Sequence, residues 1–355
     1  MRELERIRGA LADCAERGEA ALLVTVLEIA GSVYRGEGAR MVVRANGGTV
    51  GAVSGGCLEA DIVVRAESVL ASGTAEVVEY DSRVASDPML GLGLGCQGAV
   101  TVLLEPLSGV RLTNLVSLFG RLLARTTPAE LLTRVEASRA GAIGDRLLLD
   151  DRGAPVEGDR SLLDLASSVS RERILPARRL LICGAGNDAI PLAKLATELG
   201  LRVTVVDHRA SLATSTRFST AFAVFSMNVI DNTELLLREA AVESGSFAVV
   251  MAHSAAHDRA YLHALLRGNV EYIGVLGPRR RTLELLGDAH APDDRIPPNV
   301  YAPVGLDLGA ETPEEVALSI VAELIATANE RAGAPLRERK GPIHPGRAPS
   351  EVTAR

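Results

Sequence analysis

The chain has 355 residues, 47% of them hydrophobic and 23% charged, with a formal net charge of −7. That length holds two domains with cores of their own, and the composition is that of an ordinary globular protein. The acidic balance, an aromatic content of 3% and the lack of Trp argue against a nucleic-acid partner, and no apolar run is long enough to span a membrane.

The opening Met1-Arg2-Glu3-Leu4-Glu5 does not have the form of a signal peptide, so the cytoplasm is the expected location. The four cysteines, Cys14, Cys57, Cys96 and Cys183, lie far apart with no CxxC pair, which argues against a disulfide framework or a local zinc site. Residues 3–17 are expected to form an amphipathic helix with Leu4, Ile7, Leu11 and Cys14 on one face. A strand follows over Ala21–Leu27. The loop from Gly31 to Arg40 is glycine-rich and carries Arg35 and Arg40. It is either an anion cradle or a flexible connector with solvated arginines.

Arg40–Arg44, the turn Asn46-Gly47-Gly48 and Thr49–Val53 form a β-hairpin by their alternation and turn chemistry. Leu58, Ile62, Val63 and Val69 then recur at helical spacing. Ser54-Gly55-Gly56 is therefore a strand-to-helix turn, with Cys57 expected in the first turn of the helix. Free N–H groups at a helix mouth favour an anion, a thiolate included. Paired glycines let a ligand approach the backbone closely. Two readings stand at this point: a thiolate that binds or attacks something, and a small cysteine buried in a tight turn.

A strand over Thr74–Tyr80 leads to Gly91–Gly98, which has four glycines in eight residues and holds Gly95, Cys96 and Gln97. A strand over Val100–Glu105 follows. Two glycine-flanked cysteines in one domain favour a shared pocket with two thiols. A helix near 112–123, a strand near 131–136, a hairpin around Asp150–Gly153 and a helix over Ser161–Ser170 complete this half. Arg171-Glu172-Arg173 and Pro176 suggest a flexible linker.

The second half alternates strand and helix patterns, which implies a parallel sheet covered on both faces. The strand Arg179–Cys183 runs straight into Gly184-Ala185-Gly186-Asn187-Asp188-Ala189 and a helix through Leu199. The next strand, Arg202–Val206, ends at Asp207, about 23 positions after the first glycine. This is a dinucleotide fingerprint in its proper context, with the acid placed for ribose hydroxyls and Arg209 beside it for a 2′-phosphate. Cys183 is a core residue on this reading. Further strands are expected over Ala221–Ser226, Phe247–Ala252 and Val270–Leu276. His253 falls at a strand's carboxyl end, where open α/β sheets bind ligands, and competes with a reading as a cap of a helix starting near Asp258. Arg279, Arg280 and Arg281 open another helix and could hold phosphate, although three in a row cannot all face one ligand. Thr312-Pro313-Glu314-Glu315 is a capping box before the last helix. The expected organisation is an α/β chain: a mixed α/β domain over 1–172, a Rossmann-type parallel sheet over 173–335 and a flexible tail over 336–355.

Taken together, GSVYRGEGARMVV from Gly31, VSGGCLEAD from Val53, GLGLGCQGAVTVLLEP from Gly91, LLICGAGNDAIPL from Leu181, VVDHR from Val205, MAHSAAHD from Met251, YIGVLGPRRRTLELL from Tyr272, GLDLGAETPEEVALSI from Gly305 and GPIHPG from Gly341 carry a resemblance. The chain resembles the XdhC/CoxI family of maturation factors for molybdenum hydroxylases over nearly its whole length. It departs from that family at Ala252, where many members have Thr, and at Gln97, where related loops often carry Asn. The resemblance implies a dimeric carrier that binds molybdenum cofactor, works with a cysteine desulfurase while an oxo ligand is replaced by sulfur, and delivers the product to a hydroxylase such as xanthine dehydrogenase. It places Cys57 and Cys96 near the cofactor, as possible molybdenum contacts. Soft thiolates suit a soft anionic metal dithiolene. The residues expected to line the ligand are then Arg40, Ser54, Gly55, Gly56, Gly95 and Gln97 in the first domain, and Gly184, Gly186, Asp207 and Arg279 in the second, where NAD(P) or another nucleotide is the expected ligand. The alternative is an NAD(P)-dependent oxidoreductase with His253 as general acid or base.

Overall fold

The computed structural model describes residues 1–31, 33–81, 83, 98–139, 141–165, 168–231, 233–287 and 295–340. The chain divides into two compact units, Met1–Pro176 and Ala177–Arg355.

The first unit is built on a five-stranded sheet of order β3-β2-β1-β5-β4, from β1 (Ala21–Gly31), β2 (Arg40–Arg44), β3 (Thr49–Gly51), β4 (Glu76–Asp81) and β5 (Gly98–Leu107). β1 is central and buried on both faces through Val26, so alternate residues enter different cores. Ala21 and Leu23 meet α1 (Arg2–Glu16) and α3 (Gly109–Ala124) through Ile7, Leu11, Cys14, Leu115 and Phe119. Leu22 and Val24 meet α2 (Glu59–Ser72) through Ile62, Ala66 and Val69. Cys14 is a core residue, as its spacing predicts, and burial raises its thiol pKa. The hairpin turn closes as expected, with Asn46 Oδ1 accepting from Gly48 N–H at 3.0 Å.

A second, antiparallel sheet of order β8-β7-β6-β9 uses β6 (Ala129–Arg134), β7 (Arg146–Leu149), β8 (Pro155–Gly158) and β9 (Val169–Ile174). Here two expectations fail. Ser161–Ser170 is not a helix: a short 3-10 turn covers Arg160–Asp164, and a strand begins at Val169. Arg171-Glu172-Arg173 is not a linker, because it pairs with Leu132, Leu131 and Glu130 of β6. The alternating exposure of β9 is a strand signal that its high charge conceals. The first unit therefore runs to Pro176, four residues past the expected 172.

The cause is also visible at Arg40. Its guanidinium is 8% exposed and forms a bidentate pair with Glu172, with Nη1 3.0 Å from Oε1. Nη1 also donates to Gly38 O at 2.9 Å, and the guanidinium carbon lies 5.3 Å from the centroid of the Phe119 ring. Arg40 thus ties β2 to β9, and its donors are engaged inside the unit rather than offered to a ligand as an anion cradle requires.

The second unit is a six-stranded parallel sheet of order β12-β11-β10-β13-β14-β15. Its strands are β10 (Arg179–Cys183), β11 (Arg202–Asp207), β12 (Ala223–Ser226), β13 (Phe247–Val250), β14 (Tyr272–Val275) and β15 (Val300–Tyr301). Its helices are α4 (Ala189–Glu198), α5 (Thr233–Glu239), α6 (Ala255–Arg267), α7 (Arg279–Leu286) and α8 (Pro313–Ala328). Counted from its own first strand the order is 3-2-1-4-5-6, the doubly wound Rossmann arrangement. β10 and β13 are buried on both faces, which explains their unbroken apolar sequence. Cys183 is fully buried and its thiol pKa is pushed up by that burial. Thr312 caps α8 in a complete capping box with Glu315. α6 starts at Ala255, three residues ahead of the expected Asp258. Leu336–Glu338 forms one 3-10 turn in the expected tail. Among the described residues no helix is long and apolar enough to cross a membrane.

Glu172→Ala leaves Arg40 buried and unpaired, so it should destabilise the protein by about 3 kcal/mol, read as a fall in the urea midpoint. The same change should cost far less in an Arg40→Met background. A linker position would show neither effect.

Candidate functional site

Two turns carry the residues singled out above, one in each unit. In the first unit the chain leaves β3 at Gly51 and enters α2 at Glu59. Leu58 is the N-cap and Cys57 precedes it, so the thiol stands just outside the helix rather than in its first turn. The turn is held by two buried or half-buried groups. Ser54 Oγ accepts from Gly56 N–H at 3.1 Å and from Leu58 N–H at 3.2 Å, and donates to Glu59. Glu59 Oε1 accepts from Ser54 N–H at 2.8 Å and from Val53 N–H at 3.2 Å. Burial works to raise the Glu59 carboxyl, but the Ser54 hydroxyl and these N–H groups outweigh it and hold the pKa below the usual carboxylate range.

The anion expected at this helix mouth is therefore partly supplied by the chain itself. Ser54 is a brace for the turn and not an exposed ligand donor. What stays available is small and well defined. Cys57 is exposed and free of any disulfide. The backbone N–H groups of Gly55 and Cys57 meet no acceptor among the described residues. Gly56 has φ +112°, a conformation L side chains rarely adopt, and this lets the backbone turn outward before Leu58 buries. Gly95, Cys96 and Gln97 lie outside the described residues.

In the second unit the turn after β10 and the segment after β13 lie at the topological switch point, where the strand order reverses. Gly184 has φ +132°, and a Cβ there would run into the backbone of Met251, 2.5 Å from its carbonyl carbon. Gly186 has no room either, since a Cβ would lie 2.5 Å from Asp188 Oδ1. Both glycines are needed for close packing of the turn. The N–H groups of Gly186 and Asn187 have no acceptor among the described residues, so they remain open to an anion at the mouth of α4.

Asp207 departs from the fingerprint's expectation. It is fully buried, and both oxygens are engaged: Oδ2 by Ala185 N–H at 2.7 Å and Arg209 Nη2 at 2.7 Å, Oδ1 by Arg209 N–H at 2.8 Å and Nε at 2.9 Å. Burial alone would raise its carboxyl; the Arg209 side chain and the two backbone donors reverse that and hold the pKa at about 2. Its carboxylate fixes the glycine turn in place and does not face outward for a ribose.

His253 follows β13 with φ +58°, a strained value for a non-glycine residue. Its side chain is 57% exposed, and Nε2 lies 2.7 Å from Asp188 Oδ2. The carboxylate keeps a proton on Nε2, which leaves Nδ1 as the acceptor when the ring is neutral. The helix-cap alternative does not hold, because Ser254 is the N-cap of α6. Nearby sequence neighbours form a second imidazole pair. His208 and His257 stack with centroids 3.6 Å apart, and Ser254 Oγ is 2.9 Å from His257 Nδ1. Burial, and then the charge of His257, lowers the His208 pKa. Arg281 is committed to Asp258 and to Leu276 O at 3.1 Å, whereas Arg279 is exposed at the first position of α7.

Residues 14–81 match the XdhC and CoxI family, and residues 180–324 match the XdhC Rossmann domain. A Bacillus subtilis relative, named there as one of the probable subunits of xanthine dehydrogenase, is 32% identical over 328 residues, covering 88% of this chain and 94% of the relative. The chain belongs to the XdhC and CoxI family. Escherichia coli PaoD, named as a molybdenum cofactor insertion chaperone, is 39% identical over 90 residues, which are 25% of this chain and 27% of PaoD. A crystal structure titled as a xanthine dehydrogenase from Bacillus halodurans aligns with a TM-score of 0.77 at 30% identity, covering 95% of this chain and 99% of that one.

The family matches contain both turns, with Cys57 in the first and the switch point in the second. Glu59, Asp188 and the stacked pair His208–His257 do not stand out in the sequence. Only Glu59 has a local signal, an acid two places after the cysteine at a helix start. The others depend on contacts between residues far apart in the chain.

Gly184→Ala should destabilise the XdhC Rossmann unit by about 3 kcal/mol, since strain and overlap act together. Circular-dichroism melting reads this directly. Asp207 supplies a pH signature. Its folded pKa of about 2 lies below the unfolded value of about 3.9, so its stabilisation is complete above pH 4 and is lost as the pH falls from about 4 toward 2. Asp207→Asn should flatten that part of the stability profile in acid titrations, where wild type loses about 2 kcal/mol.

Proposed function

We propose that this protein is a maturation factor for a molybdenum hydroxylase of the xanthine dehydrogenase type. It binds molybdenum cofactor, holds it while an oxo ligand is replaced by sulfur from a cysteine desulfurase, and releases it to the apo-enzyme. The observation that carries this reading is the Cys57 turn: an exposed, unpaired thiol beside two unengaged backbone N–H groups, within the stretch that matches the family. The relative PaoD bears the name of a cofactor insertion chaperone, which supports the same cargo.

The donor set suits that cargo. A molybdenum dithiolene is soft and anionic, a thiolate is a soft ligand, and amide N–H groups favour negative charge. Cys57 is the soft ligand on this reading, and Cys96 is its partner. At the Rossmann edge, a phosphate of a nucleotide or pterin nucleotide would meet the open N–H groups of Gly186 and Asn187, with Arg279 as a further donor. Asp207 then acts by positioning the turn. The protein works in the cytoplasm as a homodimer.

One observation favours a second reading, an NAD(P)-dependent oxidoreductase. The His253–Asp188 pair lies at the switch point of a Rossmann sheet, with the geometry of an oriented general acid or base. The carrier reading requires only a cleft that binds and releases its load.

Incubation with apo-hydroxylase, cofactor and a sulfur donor should restore hydroxylase activity in proportion to this protein, saturating near stoichiometry. Cys57→Ala should lower cofactor retention by well over tenfold. Cys14→Ala and Cys183→Ala should cost about 1 kcal/mol of stability and leave delivery intact. Equal delivery by all three variants refutes the thiol's role. Multiple turnovers of NAD(P)H oxidation, abolished by His253→Ala, would establish the oxidoreductase instead.

A further inference from the structure

Tyr34 stands in the loop between β1 and β2 and is 70% exposed. One part of its ring rests on the Cys57 turn: a Cβ built on Gly55 would meet ring atoms Cγ, Cδ1 and Cδ2 at 3.5, 3.7 and 3.8 Å. These are ordinary packing distances, so the ring sits on the turn without strain. The loop is pinned around it. Arg35 pairs with Glu3 of α1, and Gly38 N–H donates to Val26 O at 2.9 Å.

An aromatic ring left in solvent is unusual in this sequence, which has five Tyr, five Phe and no Trp. Among the described residues, the other strongly exposed aromatic is Phe222, and the Arg202 guanidinium covers it at 4.0 Å from the ring centroid. No cation or second ring among the described residues covers Tyr34 in the same way. It thus offers an open aromatic surface beside an exposed thiol and two unengaged N–H groups.

We infer that Tyr34 is the stacking platform for the flat pterin ring of the cargo. This inference rests on the cargo reading above and adds a specificity residue to it. Stacking on an aromatic selects a planar heterocycle, while Cys57 and the turn's N–H groups select soft and anionic character. A ring already seated on backbone loses little freedom when a ligand stacks on it, so the contact is preorganised. The combination separates a pterin dithiolene from a bare metal oxyanion, which has charge but no ring.

The test uses the full-length protein loaded anaerobically with molybdenum cofactor. Bound pterin is measured after gel filtration as the fluorescence of its oxidised form. Alkylation of Cys57, mapped by peptide mass spectrometry, reports whether the turn is intact. Tyr34→Phe and Tyr34→Trp should retain cofactor as wild type does. Tyr34→Leu should weaken retention about tenfold, the loss expected for one stacked ring, with Cys57 alkylation unchanged. If wild type takes up cofactor and Tyr34→Leu holds it equally well, or if Tyr34→Phe fails as Tyr34→Leu does, the platform is overturned and the cargo reading survives. A loss in Tyr34→Leu accompanied by altered Cys57 alkylation assigns the ring a structural role and also overturns the platform. If wild type takes up no cofactor, both readings fall together.

Discussion

The turns that leave the strands must satisfy their own backbone N–H groups, and in this protein carboxylates do that work. Glu59 takes the amides of Val53 and Ser54, Asp207 that of Ala185, and Asp258 that of Ala252 at 2.9 Å. A turn whose amides all faced solvent would be mobile, and one whose amides were all buried without acceptors would be unstable. Each carboxylate engages some of the amides and leaves neighbours such as those of Gly55, Cys57 and Gly186 open. The same interaction that makes the turns rigid therefore also defines where a ligand can be met. It explains why acids stand at places where an anionic ligand is expected: they are oriented inward, onto backbone or arginine.

This arrangement divides the charged residues into two kinds. Arg40, Arg209 and Arg281 are each matched to a buried or half-buried carboxylate, in Glu172, Asp207 and Asp258. Such pairs fix geometry, and removing one partner strands the other in a low-dielectric setting. An exposed group such as His253 carries no such obligation to the core. The division follows burial and not residue type, so the arginine content of the sequence cannot reveal it.

The legibility of the sequence follows from the same distinction. The Rossmann unit is readable because its signals are local: a buried apolar strand, glycines at a strand end, an acid at the end of the next strand and a capping box at Thr312. The hairpin at Asn46 and the core positions of Cys14 and Cys183 are readable for similar reasons. β9 is not, because Arg171-Glu172-Arg173 looks like a solvated linker until β6 is known to lie beside it. The spacing locates Asp207 correctly but points it at a ligand, because spacing fixes the residue's place on the strand and leaves the direction of its side chain open. Tyr34 lies inside the glycine-rich motif that starts at Gly31, yet its meaning depends on Gly55, which a turn brings beneath it from another segment.

The inward turn of Asp207 also bears on what the Rossmann edge can recognise. In a dinucleotide site the acid at the end of the second strand selects ribose hydroxyls, and its two oxygens must be free to accept them. Here both oxygens already hold four N–H donors, and exchanging them for a ribose would release the glycine turn that the pyrophosphate needs. The two tasks compete for one carboxylate. A ligand that brings phosphate but makes no demand on Asp207 avoids the conflict, since the amides of Gly186 and Asn187 stay open while the anchor remains in place. The fold thus keeps the anion-binding half of the dinucleotide fingerprint and gives its sugar-binding half to structure. This is the sense in which a Rossmann sheet can serve a carrier without serving as a hydride-transfer site.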